Sequence, residues 1–244
     1  MSLSPPPRPE GVPVEPERDP VSSGGTEASV WLVRHGRVRT PTVAYGDGDV
    51  PLSEDGVRQT EEVARSFAAM DVKVVVASPL ERARTMGSAI AGVAGVELGV
   101  DGRLAEMHRG AWQGLERTAY AARWADAAAE YWRAPHVWRG HGGESEEQVV
   151  ARAWPALEEA VEAAAGGVAV VAAHRQVIRA LVAAAIGVPA GASHALALDP
   201  GHAMLLRDAA AGWILERTNV ARPGAPRRTD PEDGPPEDVV TQMR

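Results

Sequence analysis

SVWLVRHGR, residues 29–37, runs four apolar residues into Arg34, His35, Gly36 and Arg37. A short apolar run that ends abruptly in polar residues reads as a buried strand. That strand delivers an arginine and a histidine at its carboxyl end, where open α/β sheets hold their ligands. A second run, VAVVAA at 168–173, ends the same way in His174, Arg175 and Gln176. A third, VKVVVA at 72–77, opens into SPLERAR, with Arg82 one turn into the following helix. Unpaired N–H groups at a helix start and a guanidinium fork both suit phosphate. Taken singly, His35 also reads as a satisfied strand terminus, and Arg82 as a surface partner of Glu81 or Glu116. Two histidines in one repeated context favour a shared site.

Working outward, short apolar runs alternate with amphipathic stretches, the pattern of helices covering a largely parallel sheet, so the class is α/β. Strands are expected over 30–33, 72–76, 168–172, 195–198, 203–206 and 213–216, the last three as an antiparallel meander. Helices are expected over 53–70, capped by Ser53 with Glu54 and Asp55 in the first turn, and from Ser78-Pro79 onward. Others are expected over 115–132, 144–165 and 176–186. Residues 1–27 and 222–244, rich in Pro and polar residues, cannot bury enough apolar surface to offset ordering. They read as flexible tails around one folded domain at 28–221.

The chain has 244 residues, a net charge of -8 and 45% hydrophobic residues, enough to bury a core. Its acidity argues against general affinity for nucleic acid or an anionic membrane, though a local basic pocket is compatible with it. Without cysteine there is neither a disulfide framework nor a thiolate metal site, which fits the cytoplasm. No apolar run reaches spanning length without a charge or a glycine. A fourth segment, RLAEMHRGAWQGL at 103–115, offers Glu106 and His108 in a loop. An acid beside a bound dianion holds its proton more readily, which suits a donor to a leaving oxygen. His136 and His141 lack the further ligand cluster a metal needs, and no cofactor is expected.

These segments, with DVPLSEDGVRQT at 49–60 and GGESEEQVVAR at 142–152, resemble the histidine phosphatase superfamily, phosphoglycerate mutase-like branch. The resemblance implies a three-layer α/β/α sandwich with a mixed, mainly parallel central sheet. It also implies that His35 is a nucleophile that becomes phosphorylated, that Arg34, Arg82 and a protonated His174 bind the phosphoryl group, and that Glu106 is the acid. The partner it implies is a small-molecule phosphate ester, with no metal.

Three places depart from the family pattern, and an insertion like those that roof the site in this family offers further contacts. Arg37 and Arg39 follow His35 and read either as contacts to an anionic part of the substrate or as partners of Asp47 and Asp49. Arg109 stands where mutases carry a tyrosine, and no lysine follows, which favours hydrolysis over a mutase-type transfer. Arg175 takes the place of a glycine after the second histidine, either as a further pocket cation or pointing outward. The insertion at 121–145 offers Arg133 and His141 as substrate contacts, its aromatic spacing reading first as a packing face. A mutase-type phosphotransferase and a non-catalytic phosphate-ligand binding module are the rival readings.

Overall fold

A computed structural model describes residues 28–188, 191–209 and 212–224. The expected tails at 1–27 and beyond Gly224 lie outside the described residues. At the start of the second, Pro223 is buried and its carbonyl accepts from Arg217.

Six strands form one sheet: β1 (Ser29–Arg34), β2 (Val72–Ala77), β3 (Leu98–Val100), β4 (Val168–Ala173), β5 (Ala203–Ala209) and β6 (Gly212–Val220). Their order is β3-β2-β4-β1-β5-β6, parallel from β3 to β1 and antiparallel through β5 and β6. The helices are α1 (Glu54–Arg65), α2 (Glu81–Ala94), α3 (Arg117–Arg123), α4 (Ala125–Arg133), α5 (Glu146–Ala163) and α6 (Arg175–Ala185).

Alternation along the buried strands divides the core into two. Val30 and Leu32 of β1 pack with Ala169 and Val171 of β4, beneath Leu157 of α5 and Leu181 of α6. Trp31 and Val33, with Val170 and Ala172, pack instead against Val63 of α1 and Met86 and Ile90 of α2. This is the three-layer α/β/α sandwich with a mixed, mainly parallel sheet.

The differences from expectation have local causes. Residues 195–198 are not a strand: Ala192–Ala195 form a 3-10 turn, so the meander reduces to the β5–β6 hairpin. The helix expected over 115–132 breaks at Trp124, whose backbone (φ -131, ψ 55) leaves the helical region as the chain folds into an aromatic cluster around Trp112 and Tyr131. The first helix stops at Arg65, short of residue 70, where Ser66 turns its hydroxyl onto the Val63 carbonyl. β3, three residues at the sheet edge, is too short to leave a pattern. Ser78 does not cap α2; the Asp49 carboxylate accepts from Glu81 N at 2.9 Å and serves that helix start from the loop after β1.

That loop is seated on α1 by two glycines. A Cβ on Gly36 would lie 2.3 Å from the Gly56 carbonyl oxygen, and one on Gly56 would lie 2.0 Å from that of Arg37. The Arg37 carbonyl accepts from Ser53 N at 2.8 Å, and Arg37 N donates to the Gln59 side chain at 2.9 Å. Replacing a helical glycine by alanine ordinarily stabilises by about 0.5–1 kcal/mol. Gly92 of α2, with nothing within 4 Å of a built Cβ, should follow that rule. Gly56→Ala, forced against main chain, should instead lose roughly 1–3 kcal/mol. Guanidinium denaturation of the two variants checks the contrast, and equal shifts would count against the close approach.

Candidate active site

Parallel pairing in register sets the site. Arg34, the last residue of β1, lies opposite Ala173, the last of β4, so His35 and His174 leave the sheet side by side. Their ring centroids are 5.2 Å apart, tilted at 58°. His35 Nδ1 is 2.7 Å from the Gly36 carbonyl, so Nδ1 carries the proton and donates it there. That tautomer leaves Nε2 with a free lone pair. Burial first, then the charges of Arg34 and Arg82, push the His35 pKa well below the ordinary value, so the ring is neutral at neutral pH.

The two arginines are aimed by main-chain carbonyls. Arg34 Nη1 donates to Leu198 at 2.7 Å. Arg82, 3% exposed, donates to Gly48 and Gly46, each at 2.8 Å, with the Asp49 carboxylate at 3.9 Å. It pairs with neither Glu81 nor Glu116 among the described residues. Burial, then the neighbouring Arg175 charge, brings the Arg34 pKa down to about 9, so it remains a cation. Glu106 accepts from Met107 N at 2.9 Å and from Gln176 N, in the first turn of α6, at 3.4 Å.

His174 departs from the expected picture. It is fully buried, lies behind His35 rather than on the cavity wall, and its Nε2 meets the Ser78 hydroxyl at 2.8 Å. Burial, then the Arg82 charge, depresses its pKa, so it is neutral rather than protonated. A dianion nearby would reverse that balance; any proton His174 takes up arrives with the ligand.

Arg34, His35, Arg82 and Glu106 share the wall of one cavity of about 430 Å³. Arg37, Arg109 and Arg175 stand on the same wall. Arg175 therefore faces the pocket rather than solvent, and Arg37, half-exposed, keeps only a 4.0 Å approach to Asp55. Arg133 and His141 do not join them. Arg133 is exposed and turns back to the Ala129 carbonyl of its own helix, at 3.4 Å. His141, 4% exposed, packs edge-on to Trp112 at 4.9 Å and accepts from Gly143 N, inside the aromatic cluster that roofs the cavity. The sequence names Gln176 only as the neighbour of Arg175 and gives no site role to it, to His194 or to the hydroxyl of Tyr131. Tyr131 accepts from Arg109 at 3.1 Å and from Gln176 at 3.4 Å. Only the position of Gln176 beside the second histidine could have signalled it.

A family model described as "Histidine phosphatase superfamily (branch 1)" matches residues 30–221. The chain belongs to that superfamily. This histidine phosphatase is 34% identical over 167 residues to the glucosyl-3-phosphoglycerate phosphatase of Mycolicibacterium vanbaalenii, covering 65% of this chain and 74% of the relative. It is 30% identical over 202 residues to a Photorhabdus laumondii protein named "Probable phosphoglycerate mutase GpmB", covering 77% and 90%. Its fold matches a mycobacterial glucosyl-3-phosphoglycerate phosphatase solved in complex with inorganic phosphate, at a TM-score of 0.71 and 30% identity over 80% of this chain and 99% of that one. It is a phosphatase of the histidine phosphatase type. No helix among the described residues is long and apolar enough to cross a membrane.

Four histidines are held below their ordinary pKa: His35 and His174 strongly, and His141 and His194 to about 4, burial being the first cause in each. Below about pH 6.5 the unfolded chain protonates them while the folded chain does not. The unfolded state then binds more protons, so stability falls as pH drops from about 6.5 toward 4. Glu146, raised by burial, works in the opposite sense and offsets at most one of them. Denaturation near pH 5.5 should therefore take up at least about two protons, a slope of roughly 2.7 kcal/mol per pH unit. A flat profile between pH 6.5 and 5 would mean the imidazoles titrate freely.

Proposed function

We propose that this protein hydrolyses a phosphomonoester of a small metabolite through a phosphohistidine on His35, without a metal. The observation that carries the proposal is the His35 tautomer: a neutral, buried imidazole with Nδ1–H held by the Gly36 carbonyl and Nε2 unprotonated, on the wall of a cationic cavity. Relatives named as glucosyl-3-phosphoglycerate phosphatases support hydrolysis rather than transfer.

In the first step Nε2 of His35 bonds to phosphorus as the ester P–O bond breaks, and Glu106 gives its proton to the departing alcohol oxygen. Arg34 and Arg82 offset charge on the equatorial oxygens, a part that guanidinium groups can fill as well as a cation of the solution. His174, packed against His35, keeps that ring in place and adds positive charge once the bound dianion has brought it a proton. In the second step water attacks phosphorus, its proton passes to the Glu106 carboxylate, the N–P bond breaks, and inorganic phosphate leaves.

Two variants test this against 4-nitrophenyl phosphate and an alkyl phosphate, both in the presence of a chelator. Wild-type turnover persists in chelator, and His35→Ala lowers kcat by at least about 10³-fold with the circular dichroism unchanged. Glu106→Gln lowers kcat/KM, which reports the phosphorylation step without the later attack of water, by about 10²–10⁴-fold for the alkyl ester. It costs at least about tenfold less on the nitrophenyl ester, whose leaving group needs no proton. Retained turnover in His35→Ala would remove the phosphohistidine, and equal Glu106→Gln losses would remove the acid.

A further inference from the structure

The cavity holds more positive charge than a phosphoryl group requires. Arg34, Arg37, Arg82, Arg109, Arg117 and Arg175 line it, against two carboxylates, Glu106 and Asp199, a formal surplus of four positive charges in a chain whose net charge is -8. A phosphate dianion cancels half of that surplus. Arg34 and Arg82, oriented by carbonyls next to His35, account for the phosphoryl end.

The remainder has a definite place. Arg175, the first residue of α6, is partly buried, and among the described residues its side chain makes no hydrogen bond or ion pair. Arg117, the first residue of α3, likewise has no side-chain partner there. Arg109 has the Tyr131 hydroxyl and, 5.6 Å from its guanidinium carbon, the centre of the Tyr131 ring. The three are near enough to act on one another: burial disfavours the cationic form of Arg175, Glu106 favours it, and the charges of Arg109 and Arg117 then disfavour it. Tyr120, Tyr131 and Trp132 wall the same cavity, and aromatic walls that exclude water strengthen whatever charge interaction forms beside them. Convergent guanidinium groups that repel each other, have no carboxylate in ion-pair contact among the described residues and face a cavity are arranged for an anion.

We propose that Arg175, with Arg109 and Arg117, forms a second anion subsite that takes a carboxylate or phosphate carried by the alcohol portion of the ester. The proposal rests on the phosphatase reading above for the phosphoryl end. It makes Arg175, which replaces the family's glycine after the second histidine, a specificity residue of this chain.

Binding of unreactive phosphonates tests it without turnover. Calorimetry at fixed ionic strength compares each alkylphosphonate with the phosphonocarboxylate and the bisphosphonate of the same chain length, from one to four carbons. At the matching length the doubly functional ligand binds wild type at least about tenfold tighter, the fork of a bidentate guanidinium being the source. Arg175→Gln brings that ratio to within about threefold, whereas Arg133→Gln, which removes an equal charge outside the cavity, leaves it unchanged. Whichever series carries the preference identifies carboxylate or phosphate. A ratio near one at every length in wild type, or one that Arg175→Gln does not reduce, overturns the second subsite; turnover lost in His35→Ala would still stand for the phosphatase reading. If no phosphonate binds at all, the second subsite falls, and the phosphatase reading is decided by the turnover of His35→Ala alone.

Discussion

Everything at the site depends on the register between β1 and β4. Two parallel strands that end opposite each other, Arg34 beside Ala173, oblige the next residue of each to emerge at the same point. The histidines are thereby adjacent without any loop having to bring them together. The sheet provides stiffness here, because both strands are buried on both faces and cannot shift without moving two cores. A neighbouring constraint follows from the antiparallel side. β5 pairs with β1, and the turn before it gives Arg34 N the His202 carbonyl and Arg34 Nη1 the Leu198 carbonyl. The segment 195–198, apolar enough to read as a strand, serves as a rest for a guanidinium.

What was legible in the sequence was whatever local chemistry dictates. Apolar runs ending in Arg-His or His-Arg placed β1 and β4 and the residues at their ends. The SPLERAR segment located Arg82 and the helix behind it. What was not legible was set by contacts between distant segments. Ser78 stands where an N-cap would, yet its hydroxyl turns to His174, 96 residues away, and a carboxylate from the loop after β1 takes the capping task. His141 lies in the insertion expected to choose a substrate, but the rings of Trp112, Tyr131 and Trp138 enclose it. Burial of that kind also explains why the protonated His174 of the sequence reading gives way to a neutral one. A position next to two arginines attracts a phosphate but repels a proton until the phosphate is there.

The protein uses arginine in two different ways, and the difference lies in the acceptor. Away from the cavity, Arg103 is paired with Asp101 and Glu159, and Arg152 with Glu144, so each guanidinium is cancelled by carboxylate and its work is structural. In the cavity, Arg34 and Arg82 are held chiefly by carbonyl oxygens of Leu198, Gly46 and Gly48. A carbonyl dipole fixes the direction of a guanidinium as well as a carboxylate does, but leaves its full charge to act on something else. Holding such charges partly buried is unfavourable, which is why the Arg34 pKa is brought down to about 9. Burial first, and then these same charges, keep His35 neutral and therefore nucleophilic before a substrate enters. One arrangement thus prepares the nucleophile and receives the anion it attacks. A carboxylate at hydrogen-bond distance from either arginine, closer than the 3.9 Å of Asp49 from Arg82, would weaken both effects at once.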